Sequence, residues 1–147
     1  MATILEQYRH CQGVFNEQLT AGCLPPEDIL ILQELSYRIS VLESFEVLCK
    51  SAPKTMDTGA MGYHFQLVSA CIGFTLNERK FGPKVDEAGV KKRETAHQVF
   101  GQVVLDGRKR FMNYKAVTQE QYKNDISNYI LTVLPVWLQY RNTYINL

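Results

Sequence analysis

His64 and Cys71 stand seven residues apart in the stretch YHFQLVSACIGFTL, a spacing that puts both on one face of a helix. An imidazole nitrogen and a thiolate are transition-metal ligands, and the same two groups serve elsewhere as base and nucleophile. Two ligands fall short of a site, because zinc centres take three or four protein ligands. The remaining histidines are His10 and His97, and the chain has no H-x-x-x-H or H-E-x-x-H pattern. His10 and Cys11 are sequence neighbours, which do not face each other on a helix. There is no G-x-S-x-G elbow, and GAMG at 59–62 is too short for a phosphate-cradling loop and lacks the G-K-[ST] ending. The carboxylate pairs Glu27–Asp28 and Asp86–Glu87 sit where helices are expected to begin, where anions complement the helix dipole. The expectation is a protein with no catalytic residue, no metal and no cofactor. A small enzyme or ligand binder built on His64 and Cys71 is the least favoured reading.

Charge is the one unevenly distributed property. The chain of 147 residues carries a net charge of +1. Between Glu78 and Lys115 there are ten basic and five acidic residues, a local balance of +5. The rest of the chain stands at −4. Lys91, Lys92 and Arg93 form one cluster, and Arg108, Lys109 and Arg110 another that begins 17 residues later. On a continuous helix that offset is about 25 Å. Such a basic segment is a solvated face, a dock for an acidic protein, or a site for phosphates. Against nucleic acid stands the lack of interleaved aromatic residues for base stacking.

The elements that must position these groups follow from apolar periodicity. Residues 3–20 read as an amphipathic helix opened by a Thr3–Glu6 capping box, with Leu5, Tyr8, Cys11 or Gln12, Phe15 and Leu19 on one face. Gly22 ends it, and Pro25 and Pro26 precede the next helix. Residues 27–51 carry the stripe Ile29, Leu32, Leu35, Ile39, Leu42, Phe45 and Cys49, widened by Ile31, Tyr37, Val41 and Leu48. A third helix over 60–80 keeps Met61, Phe65, Val68, Ile72 and Leu76 in register, although the same run also suits a buried strand. Within 85–115, Asp106–Gly107 fits a hairpin turn. A helix is preferred there, because Ala96, Phe100, Val103, Gly107, Phe111 and Tyr114 hold a helical beat through it. On that reading Gly107 lies on the packing stripe, where its missing side chain admits a neighbour.

The last helix, 118–145, is opened by Thr118 and Gln121 and has a seam of Tyr122, Ile126, Tyr129, Val133, Trp137, Tyr140 and Tyr144. Pro135 falls inside it. Proline in a helix interior removes one hydrogen bond and costs about 3 kcal/mol. The seam stays in phase across it, so a kink is expected rather than a stop.

The expected object is an all-α, single-domain bundle of about five helices over 1–147, with a long Pro-kinked C-terminal helix. Four cysteines without a C-x-x-C pair read as reduced, mostly buried thiols, and no signal peptide or membrane span is visible. These features point to a cytoplasmic protein. Its expected action is binding to another protein, as an adaptor, chaperone or inhibitor does, with a homodimer among the arrangements considered. The expected binding residues are Trp137, Tyr140 and Tyr144 on the aromatic seam, and Lys91, Lys92, Arg93, Arg108, Lys109 and Arg110. The alternative is a nucleic-acid-binding regulator that uses the basic 79–115 segment.

Overall fold

Five helices and no strand make up the regular structure of the described residues, which are 3–54, 57–77, 82–112 and 118–146 of a computed structural model. The helices are α1 (Ile4–Thr20), α2 (Asp28–Lys50), α3 (Thr58–Asn77), α4 (Glu87–Met112) and α5 (Gln119–Asn142). The chain divides into two compact units, one reaching Ser44 and the other spanning Phe45–Asn146.

In the first unit, local chemistry sets both ends of α1. The Thr3 hydroxyl accepts from the Glu6 N–H at 3.1 Å, and the Glu6 carboxylate accepts from the Thr3 N–H at 3.2 Å. This is the reciprocal box expected from the sequence. At the other end Gly22 adopts φ +73°, the Cys23 N–H reaches the Gln18 carbonyl at 2.9 Å and the Gly22 N–H reaches Leu19 at 3.1 Å. That pair of hydrogen bonds closes the helix and needs a residue at ease with positive φ.

Side chains of α1 then meet α2 in antiparallel order. Gln12 donates to the Ser36 hydroxyl at 3.0 Å, and Arg9 pairs with Glu43 at 2.8 Å. Arg38 is fully buried. Its Nε donates to Glu34 at 3.1 Å and its Nη1 to the Tyr8 hydroxyl at 3.0 Å, so the desolvated guanidinium keeps a counter-charge and a hydroxyl. Of the two candidates for the α1 face, Gln12 is half-buried and Cys11 is exposed.

In the second unit, α4 packs against both α3 and α5. Most of the expected stripe is buried: Val68 and Ile72 from α3, Phe100 and Phe111 from α4, and Tyr122, Ile126, Tyr129, Val133, Trp137 and Tyr140 from α5, whereas on α4 Val104 is buried and the expected Val103 only half-buried. Segment 96–112 is helical, without a hairpin turn at Asp106–Gly107. Gly107 faces α5 so closely that an added Cβ would overlap the Tyr129 phenol. The turn-like Asp106 instead accepts from Gln102 at 2.8 Å, an i,i+4 pair on the outside of the helix. α5 runs without a break through Pro135, which lies on its exposed side. Thr118 opens it by accepting from the Gln121 N–H at 3.1 Å.

The cysteines correct one expectation. All four are free thiols, but Cys11 and Cys23 are exposed and Cys49 and Cys71 only half-buried. The spacing of a cysteine relative to an apolar stripe says little, because a helix face is covered only where another element reaches it. Burial pushes the Cys71 thiol above its ordinary pKa. A raised pKa leaves less thiolate, the reactive form, at any pH below it. Timed iodoacetamide labelling at pH 8, read by peptide mass spectrometry, should therefore modify Cys11 and Cys23 well before Cys71.

Candidate functional site

The side chains with chemical potential fall into two groups, those that close helix ends and those left facing solvent. A helix leaves its last carbonyls without partners, and N–H donors or cations placed there are stabilising. In the second unit three helix ends receive a side chain in this way. His64 Nε2 lies 2.8 Å from the Leu48 carbonyl in the last turn of α2. His97 Nε2 lies 3.1 Å from the Leu76 carbonyl at the end of α3. Arg93 Nε donates to the Thr143 carbonyl at 3.3 Å, at the C-cap of α5.

His64 is buried, and its other nitrogen is also engaged, with Nδ1 2.7 Å from the Tyr122 hydroxyl. A carbonyl can only accept, so in the neutral ring Nε2 carries the proton and Nδ1 accepts from Tyr122. Neither nitrogen is left to ligate a metal or to take a proton from Cys71. The partners the fold gives His64 are thus the Leu48 carbonyl and the Tyr122 hydroxyl. Glu94 and His97 do carry an E-x-x-H spacing of metal-binding helices. Among the described residues, however, no three His, Cys, Asp or Glu side chains converge.

The aromatic seam is the second correction. Trp137 and Tyr140 are both 0% exposed, so neither is presented to a partner. Tyr140 stacks on Phe100 with ring centres 5.4 Å apart and meets His97 edge-on at 5.8 Å. Tyr144 is half-buried and packs edge-on against Tyr140 at 5.5 Å. Its other face is covered by Arg93, whose guanidinium lies 4.3 Å from the ring centre, within cation–π range. Arg93 also donates from Nη2 to the Pro83 carbonyl at 2.8 Å. Gly82, at φ +83°, lets the chain pass this cluster, since a Cβ there would come within 3.0 Å of the Tyr144 carbonyl. Two residues that the sequence suggests separately, Arg93 and Tyr144, are therefore each other's partners. Val90, Glu94, His97 and Gln98 join them around a cleft of about 510 Å³.

The basic segment also sorts itself. Arg108 is tied to α3, donating from Nε to the Ser69 hydroxyl at 2.9 Å. Lys91, Lys92, Lys109 and Arg110 are exposed. Lys91 and Lys109 are 18 residues apart, as are Lys92 and Arg110, which is five full turns and about 27 Å. Each pair therefore shares a helical phase. Arg79, Lys80 and Lys115 lie outside the described residues.

Sequence reasoning passes over one further surface. α3 buries the expected Val68 and Ile72, yet Tyr63, Leu67 and Phe74 on its other side are 65%, 42% and 64% exposed. The available signal was that α3 contains no Asp, Glu, Lys or Arg. Among the described residues no helix is long and apolar enough to cross a membrane. Comparison with models of known protein families, with characterised proteins and with solved structures finds no match for this chain.

Proposed function

We propose that this protein acts by binding another protein, in the manner of an adaptor, chaperone or inhibitor, and performs no chemistry of its own. The acidic partner docks on the solvent side of α4. The observation that carries this reading is the pair of exposed cation clusters, Lys91–Lys92 and Lys109–Arg110, in phase on one helix face. Between them the face carries exposed Val99 and Leu105, with Gln102 and Asp106 bonded to each other alongside. Apolar contacts between two charged ends suit a protein surface better than a phosphate backbone, and no aromatic side chain is available there for base stacking. Beside Lys92 a groove of about 300 Å³, lined by Ala96, Val99 and Val136, opens between α4 and α5 and has room for a partner side chain. Engagement of His64 at both nitrogens supports the non-catalytic part of the reading. The bend expected at Pro135 belongs to the same reading, as a device that lets the long last helix wrap around a small core. Four free thiols fit a reducing, cytoplasmic setting.

The test is affinity capture from the protein's own cells with wild type and with Lys91→Glu/Lys92→Glu/Lys109→Glu/Arg110→Glu, each with and without nuclease. The expected result is a protein captured by wild type, retained after nuclease and lost with the variant. The four positions are exposed, so each substitution should alter stability by no more than about 0.5 kcal/mol. Capture that disappears on nuclease treatment would transfer the face to nucleic acid. Binding would then weaken by orders of magnitude between about 50 and 200 mM salt. Capture unaffected by charge reversal would remove α4 from the proposal.

A further inference from the structure

We infer that α3 is a self-association face, on which a second copy of this chain packs its own α3 antiparallel. This goes beyond the α4 reading and does not rest on it. Tyr63, Leu67, Ala70 and Phe74 are all exposed and follow one another at i, i+4, i+7 and i+11, the spacing of a helix–helix seam. The opposite side of the helix is already used, with Val68 and Ile72 buried and Phe65 stacked on Phe111 at 5.0 Å. Exposed aromatic and aliphatic side chains in a continuous row mark an interaction surface.

Charge identifies the occupant. Thr58–Asn77 contains no Asp, Glu, Lys or Arg, and the cation bonded to this helix, Arg108, sits beside the row on Ser69, so a charged partner surface would lose its water along the row without a counter-charge on it. A second α3 brings no charge to be desolvated. Size points the same way. The row reads aromatic, leucine, alanine, aromatic. Two copies related by a two-fold axis set Tyr63 opposite Phe74 of the second copy, and Leu67 opposite its Ala70. Large then meets small at the centre, and rings close both ends. A seam of this length is at the small end for stable interfaces, so pairing is expected to need micromolar protein.

Sedimentation velocity on the full chain, from about 1 to about 500 µM, reads the outcome directly. Wild type is expected to rise from the monomer mass of 16.9 kDa toward twice that value. Leu67→Glu should hold at the monomer mass with an unchanged melting temperature. Leu67→Ser is the milder substitute if the glutamate variant misfolds. Register is tested by mixing. Tyr63→Lys and Phe74→Glu should each be monomeric alone and form a heterodimer together, because antiparallel pairing sets the lysine against the glutamate. Charge reversal on α4 should leave all of this unchanged. A wild-type chain that stays monomeric throughout overturns the inference. So does a dimer that survives Leu67→Glu, or a mixture that fails to pair. A monomer that instead binds neutral phosphatidylcholine vesicles would assign the row to a lipid surface and equally overturn it.

Discussion

Gly107→Ala should lower stability by about 2–3 kcal/mol, even though alanine is the better helix former by about 1 kcal/mol. The new Cβ would occupy the space of the Tyr129 phenol, against which α4 passes with no side chain between. Tyr129 is itself buried, and burial raises the pKa of its hydroxyl. The ring therefore has little room to move aside, and the two helices must part. For a domain of this size the melting temperature should fall by roughly 5–10 °C. Gly101→Ala is the matched control. It lies in the same helix, and the nearest atom to an added Cβ is Leu76 Cδ1 at 3.9 Å, an ordinary contact. That substitution should add about 0.5–1 kcal/mol through helix propensity alone. Shrinking the neighbour in Gly107→Ala/Tyr129→Leu should recover part of the loss, giving a coupling that distant pairs do not show. Equal effects at Gly101 and Gly107 in thermal melts would mean that the two helices do not meet at Gly107.

Trp137→Ala should cost about 3–5 kcal/mol, the loss expected when a fully buried indole is truncated. The side chain is 0% exposed and stands between Val133 and Tyr140 on the buried seam of α5. Domains of this kind have about 5–15 kcal/mol in total, so the variant should lose a large share of its stability and melt well below wild type. Chemical denaturation monitored by circular dichroism measures this, and tryptophan fluorescence of the wild type reports the same transition. A variant that melts like wild type but loses a partner would return Trp137 to the surface, as the sequence alone first suggests.

Much of the local structure was written in the residue order. The Thr3–Glu6 box, the glycine at position 22 and the Leu35, Ile39, Leu42 and Phe45 part of the α2 stripe have the form that short-range chemistry dictates, while Ile29 at the head of that stripe is exposed. Gly107 was legible too, because the helical beat placed it on the packed side and only a close neighbour explains a glycine there. The candidate site was less legible. Periodicity says which residues share a face, and it cannot say what covers that face. The seam of α5 has the composition of an interface and is core, because α4 brings Phe100 and His97 over Tyr140 from about 40 residues away in sequence. Of the six clustered cations, Arg93 and Arg108 are bound to carbonyls and a hydroxyl of other elements, at separations of 50 and 39 residues. What the sequence by itself determined is the helical character of the described residues, the caps of α1 and α5 and most of the apolar stripes, since these depend on interactions within a few turns. Only the tertiary structure decided that His64 and Arg93 close helix ends, that Trp137 is buried, and that Tyr63, Leu67 and Phe74 face outward. Each of those outcomes depends on which distant helix arrives at the surface, and no local rule encodes that.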